Sequence, residues 1–365
     1  MPKAIDAHDI SMLNRIILTV KQAFPSRTKR RKVLNAIVKP VARALGFNVP
    51  ADVSVGKEFG TEQEREFAGL ITASEEAGTK YWESIANLLK IKTALFLSDP
   101  RQRLVFPRFE RPVVSILIVT YNKSEYTFQC LETIKAYSDV PYELIIVDNA
   151  STDRTTGLLE RIENATIIRN NDNVGFLRAC NQGAQAAKGE FILFLNNDTQ
   201  VSPNWLSRLV ETARSYPGCG AVGARLVFPS GRLQEAGSTV LSNGVTCGQG
   251  RNSNPLSPDY CSVKEAEYCS GACLLVRKDL FSRLGGFDER YSPAYYEDVD
   301  LCFGIRKLGY KVVVEPEVQV LHYEFGSGSF GKAYELSIEN RKKFTEKWAA
   351  ELKGSHETGR LTDIK

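Results

Sequence analysis

Three short polar residues, Asn196, Asn197 and Asp198, close the apolar run FILFL. A carboxylate at the end of a buried strand calls for a cation. A hard divalent ion held by one or two protein groups, with substrate phosphates completing its shell, is the usual answer. Such an ion neutralises a diphosphate and makes it a better leaving group. His322, one of three histidines, ends a second apolar run, VVVEPEVQVLH, just before the loop segment GSGS. A lone histidine is more often structural than a ligand, but its strand-end position favours a ligand role here. A further set of carboxylates, Glu297, Asp298 and Asp300, follows tyrosines at 291, 295 and 296. Carboxylates in a first helical turn are favoured by exposed amides and the helix dipole. That accounts for Asp300 better than for Glu297 and Asp298, either of which can accept a proton from an attacking hydroxyl. The sequence holds no Walker A loop, G-x-G-x-x-G turn or G-x-S-x-G elbow, and no strong covalent nucleophile.

The elements that position these residues begin at Val113. VVSILIVTYN, YELIIVDNAS, ATIIRN and FILFLNND read as strands, apolar almost throughout. Helical stretches lie between them: 124–137, then VGFLRACNQGAQAAKGE with Gly189 as its stop signal. SPNWLSRLVETARSY follows, with Ser202 at the N-cap and Pro203 in the first position. Apolar strands alternating with helices predict a parallel sheet covered on both faces, with ligands beyond the carboxyl ends of the strands. Three strands end there in polar groups: Thr120-Tyr121-Asn122, Asp148-Asn149 and Asn196-Asn197-Asp198. One such ending is turn chemistry; three on one edge predict a site. Residues 229–262 read as loops or a hairpin insertion, after which strand, helix, loop, helix and strand return.

The 365-residue chain is ordinary for a globular protein, with 43% apolar and 25% charged residues. Its net charge of +4 is uneven, because the first fifty residues carry ten Lys or Arg against Asp6 and Asp9. Apolar positions from Ile10 to Leu45 have helical spacing and are interrupted by PSRTKRRK. They predict a helical hairpin with a basic turn, or an interfacial helix drawn to anionic lipid. No nucleic-acid partner is expected, since the basic run lacks aromatic interleaving or a surrounding module. A helix is expected within 78–97, and the proline-containing stretch 98–112 reads as a linker. Eight cysteines without CxxC spacing read as mostly buried thiols in a reducing compartment. The start lacks secretory-signal features, and the longest apolar stretch is too short to span a bilayer. The expectation is a cytoplasmic protein, with peripheral attachment to the inner membrane face as its second location.

In order, VSILIVTYNKSEYTFQCLETI, YELIIVDNASTD, NVGFLRACNQGAQAAKGEFILFLNNDT, SGACLLVRKDLF, GGFDERYSPAYYEDVDLC and His322 resemble glycosyltransferase family 2. The resemblance covers about residues 113–350. It implies an α/β, Rossmann-like GT-A fold with a mostly parallel central sheet and flanking helices. Domain bounds are then 1–110 for a basic, mainly helical extension, 111–352 for the GT-A domain and 353–365 for a tail. The implied activity is inverting transfer of a sugar from a nucleoside diphosphate (UDP, dTDP or GDP) to a hydroxyl of a glycan or lipid-linked acceptor. Bacterial surface-polysaccharide synthesis, rhamnosyl transfer included, is the implied setting.

The resemblance also implies roles. Thr120, Tyr121 and Asn122 border the nucleotide, and Asp148 bonds the base. Asn173, Gly175, Phe176 and Arg178 lie along the nucleotide-sugar, and Gly271 lies under the donor sugar. Asn196-Asn197-Asp198 takes the Asp-X-Asp position, so Asp198 and His322 would bind Mg²⁺ or Mn²⁺. Asp298 is the general base, and Glu297 positions acceptor or donor. Asn196 departs from the pattern, being an uncharged and weaker ligand where an acid is usual. Two other readings exist. A sugar nucleotidyltransferase needs a Gly-rich basic loop where this chain has TYNKSEY. A catalytically silent nucleotide-binding scaffold would have favoured loss of Asp198, Asp298 or His322, and all three are present.

Overall fold

A computed structural model of the chain describes residues 84–324 and 330–353. The hairpin expected over 10–47 and the tail beyond 353 lie outside the described residues. The chain divides into two units, Met1–Leu88 and Leu89–Lys365, and the elements below belong to the second.

Among the described residues the main feature is a ten-stranded sheet. Its principal strands are β1 (Val114–Thr120), β2 (Tyr142–Asp148), β3 (Thr166–Arg169), β4 (Phe191–Leu195), β5 (Cys219–Val227), β6 (Cys273–Arg277) and β7 (Lys311–His322). They run across the sheet as β7-β5-β6-β4-β1-β2-β3. All neighbours are parallel except β6, which opposes both β4 and β5. The fold is GT-A. Successive side chains of a strand point to opposite faces, and both faces here are covered. Ile116 and Ile118 join one core cluster with Phe128, Leu131 and Trp205, while Leu117 and Val119 join another with Leu177, Val299 and Phe344. Two-sided burial is why these strands read as unbroken apolar runs.

Helices α1 (Ser124–Tyr137), α2 (Thr155–Leu159), α3 (Phe176–Gln185), α4 (Trp205–Ser215), α5 (Lys278–Arg283), α6 (Glu297–Lys307), α7 (Phe330–Lys347) and α8 (Ala349–Leu352) flank the sheet. Three local expectations are corrected. Helix α4 starts later than Ser202, whose hydroxyl donates instead to the Gln319 carbonyl at 2.9 Å. Its cap residue is Asn204 at φ 63°, and Asp139 accepts from the Ser207 amide at 3.0 Å, so the capping carboxylate comes from another element. Helix α3 ends at Gln185, well before Gly189. That glycine serves close approach to β1, since a Cβ there would lie 2.7 Å from the Ser115 nitrogen.

Residues 98–112 are not a free linker. A helix ending at residue 98 stacks Phe96 on Phe128 at 4.6 Å between ring centres. Leu104–Val105 pairs in parallel with Ile162–Glu163, and Phe106 is buried. Residues 89–112 thus belong with the second unit. Among the described residues the eight cysteines are free thiols, six of them buried.

Candidate active site

Strands β1, β2 and β4 are in register, with Thr120 beside Asp148 and Leu117 beside Phe194, so their carboxyl ends share one edge. Strand β7 runs parallel to β5 and brings His322 to that edge. Thr199–Gln200 then pairs antiparallel with Leu321–His322, which folds Asp198 back against the histidine. Antiparallel β6 begins where the others end, so the turn Ser270-Gly271-Ala272 enters the same place.

His322 Nε2 lies 3.3 Å from Asp198 Oδ1 and 3.3 Å from Asn196 Nδ2. Both Asp198 and His322 are buried. His322 Nδ1 lies 3.1 Å from Gln234 Oε1, and a carbonyl oxygen there requires Nδ1 to carry the proton. Nε2 then faces the Asp198 carboxylate, an arrangement that needs a positive charge in the form of a proton or a metal ion. Burial pulls the imidazolium down, but the charge and hydrogen bond of Asp198, then Glu324 and Glu235, outweigh it and hold its pKa above the ordinary value. A carboxylate and an imidazole suit Mn²⁺ or Mg²⁺ when phosphate oxygens complete the shell. Among the described residues no cluster of three or more His, Cys, Asp or Glu forms a ready-made cage.

The second half of the site is built on the β6 turn. The Gly271 amide donates to Asp298 Oδ2 at 2.8 Å, and the Val299 amide donates to Oδ1 at 2.8 Å. Burial pushes the Asp298 carboxyl up, and these amides oppose the shift. Glu297 is buried with Oε2 lacking a hydrogen-bond partner; burial and then the Asp298 charge push its carboxyl well above the usual range. Tyr295 and Tyr296 precede the pair at φ 74° and 73°, a backbone region that bulky residues rarely occupy. Burial, then the charges of Glu297, Asp198, Glu324 and Asp298, push the Tyr295 hydroxyl up to about 12. Asp300 is structural, accepting from Tyr291 Oη, Trp348 Nε1 and Lys347 Nζ.

The remaining expected residues divide into two groups. Thr120 and Asn197 turn inward: both bond Thr127 Oγ1 of α1, at 2.9 and 3.0 Å. Asn122 Oδ1 accepts from the Thr152 and Asp153 amides and so clamps the loop after β2. Asp148 is buried and accepts from the Ser151 amide, with Arg169 at 3.8 Å. Asn173 Oδ1 accepts from Asn149 Nδ2 and the Gly175 amide. Gly175 itself sits at φ 89° against Pro293. Tyr121 is exposed, Phe176 is half-buried, and exposed Arg178 pairs with Glu289 at 3.1 Å.

The sequence reading missed Gln234 and Glu235. They lie on Leu233–Glu235, a three-residue strand paired to β5 inside the region read as loops. Glu235 Oε1 accepts from the Ser270 amide at 3.1 Å, one residue from the amide that holds Asp298. Burial, then the Asp298 charge, push its carboxyl up to about 7 against the Ser270 amide, Arg251 and Ser238. Asn340 of α7 was also missed. Fully buried, it donates to the carbonyls of Tyr291, Ala294 and Tyr295 at 2.8, 2.9 and 2.9 Å, pinning the loop before Glu297.

Residues 115–285 match the family model described as Glycosyl transferase family 2. The chain carries a glycosyltransferase family 2 domain. The match stops before Asp298 and His322, so the candidate base and histidine lie on elements beyond it. The O-antigen biosynthesis protein RfbC of Myxococcus xanthus is 30% identical over 71% of this chain and 21% of its own length. The uncharacterized protein y4gI of Sinorhizobium fredii is also 30% identical, over 66% of this chain and 27% of its own. This chain thus spans about a quarter of those two relatives. A Mycobacterium tuberculosis N-acetylglucosaminyl-diphospho-decaprenol L-rhamnosyltransferase is 27% identical over 64% of this chain and 83% of its own length. Among solved structures, GalNAc-T7 with UDP, GalNAc and Mn²⁺ aligns at a TM-score of 0.52 and 18% identity, over 67% of this chain and 50% of that one. At that identity the likeness concerns the family 2 domain's fold alone.

Proposed function

We propose that this chain is an inverting, metal-dependent glycosyltransferase of surface-polysaccharide synthesis. It moves a sugar from a UDP-, dTDP- or GDP-linked donor to a hydroxyl of a glycan or lipid-linked saccharide. The observation that carries the reading is the meeting of two pairs at one sheet edge, Asp198 with His322 and Asp298 with Gly271. A bound Mg²⁺ or Mn²⁺ would neutralise the departing diphosphate. Asp198 and His322 are the residues to hold it, with Gln234 orienting the imidazole through Nδ1.

Asp298 takes the proton of the acceptor hydroxyl as its oxygen attacks the anomeric carbon. The bond to the diphosphate breaks on the opposite face, and a single displacement inverts the configuration. Glu297, whose carboxyl burial and then the Asp298 charge push up, positions donor or acceptor. Tyr121, Asn122 and Asp148 border the nucleotide, while Asn173, Gly175, Phe176 and Arg178 flank the nucleotide-sugar. Thr120 and Asn197 support that edge from behind through Thr127.

The names of the Myxococcus and Mycobacterium relatives support the envelope setting, and the second supports a diphospho-polyprenol-linked acceptor. The ten basic residues among the first fifty would hold the enzyme on the anionic inner face of the membrane. Sedimentation with anionic vesicles checks that part; equal, negligible binding of the full chain and a chain lacking residues 1–88 would overturn it. The transfer reading is tested by incubating the chain with a donor panel and Mn²⁺ and following nucleoside diphosphate release. It fails if no donor is bound or consumed and Asp198→Ala and Asp298→Ala change nothing.

A further inference from the structure

Gln234 and Glu235 are neighbours in the chain but serve opposite ends of the site. Gln234 Oε1 meets His322 Nδ1, and its Nε2 donates to Glu324 Oε1 at 3.2 Å. Glu235 turns to the other end, where the Ser270 amide holds Oε1 and Ser238 Oγ donates to Oε2 at 3.3 Å. A carboxylate offers about four acceptor positions, so these two contacts leave room for more. Glu235 and Asp298 are both half-buried, unlike Glu297, and they accept from consecutive amides of one turn. The buried Oε2 of Glu297, without a hydrogen-bond partner, lies in the residue next to Asp298 and marks a polar demand that the protein leaves unmet.

We propose that Glu235 is an acceptor-recognition residue, accepting a hydrogen bond from the acceptor hydroxyl next to the one that Asp298 deprotonates. The inference rests on the transferase reading above and on Asp298 as its base. A group beside the base meets what lies beside the attacking oxygen, whereas the donor diphosphate belongs at the Asp198–His322 end. The acceptor is accordingly a saccharide with a vicinal diol at the point of attachment. Glu235 transfers no proton; it fixes the sugar ring so that one hydroxyl and not its neighbour reaches the anomeric carbon.

The test uses the full chain with the donor that the panel selects. The probe acceptors are octyl glycosides of common hexoses and N-acetylhexosamines, together with their monodeoxy analogues. Glu235→Gln and Glu235→Ala are expected to raise the acceptor KM tenfold or more. Donor KM, and donor hydrolysis without acceptor, should stay within twofold. Deleting the neighbouring hydroxyl should cost the wild-type chain a similar factor and cost Glu235→Ala less than twofold, the signature of a direct contact. An unchanged acceptor KM, or a rise confined to donor KM, overturns the assignment and leaves the transferase reading standing. A wild-type chain that consumes donor but transfers to none of the probes overturns this inference alone, whereas one that binds and consumes no donor overturns the transferase reading with it.

Discussion

Gln234 Oε1 lies 3.1 Å from His322 Nδ1, which fixes the imidazole with Nε2 toward Asp198. Partners behind a metal-binding histidine set its tautomer and orientation, and their loss commonly costs about 10–100-fold in affinity. Gln234→Ala should therefore weaken Mn²⁺ binding in the presence of UDP by about that factor. Titration calorimetry at fixed nucleotide measures it, and an unchanged affinity would remove Gln234 from the site.

Asp298 must be ionised to accept a proton, and burial raises its pKa. A raised acid is protonated, and so inactive as a base, over a wider range at the low end of the pH scale. The acid limb of kcat/KM should thus lie above the range of an ordinary aspartate. Asp298→Asn should lower transfer by about 10²–10⁴-fold, the usual contribution of a general base. Donor binding should stay within threefold.

Glu235 gives a stability prediction independent of turnover. Its folded-state pKa of about 7, raised by burial and then by the Asp298 charge, exceeds its unfolded value, which is about 4.3. The folded chain therefore keeps a proton that the unfolded chain releases between those values. Its stabilising effect is complete below about pH 4 and is lost as pH rises through 7. Glu235→Gln should raise Tm by roughly a few degrees at pH 8, with the gain shrinking toward pH 4.5. A gain that does not vary with pH would assign the change to packing.

Asn340→Ala would leave the carbonyls of Tyr291, Ala294 and Tyr295 without their buried donor. An abandoned buried polar group costs about 1–3 kcal/mol, so a loss of roughly that size is expected in urea unfolding. Turnover should fall further than donor affinity, because the loop carries Glu297 and Asp298 and not the Asp198–His322 pair.

The sheet and its polar carboxyl edge were legible because each strand is apolar along its length and polar at its end. Asp198, His322, Asp298 and Gly271 stand at the edge that the pattern predicts. Residue type did not reveal direction, however. Thr120 and Asn197 share a strand-end pattern with Asp198, yet both face Thr127, a residue with no local signal. Gln234 and Glu235 were hidden because a three-residue strand shows no measurable periodicity. Asn340 acts 45 residues from the nearest of its carbonyl partners, a contact that only folding creates.

The reversed direction of β6 has one more consequence. Its pairing sets Cys273 against Leu195, and that alignment decides which of two consecutive amides meets Glu235 and which meets Asp298. Successive residues of an extended chain point to opposite sides. Sliding the strand by one residue would replace the Ser270 and Gly271 amides at the two carboxylates by those of the next pair along the turn. Here the register of a hydrogen-bonded ladder acts as a chemical setting. An inserted residue near Ala272 would unseat the amides that hold Glu235 and Asp298 while leaving both carboxylates on their own elements.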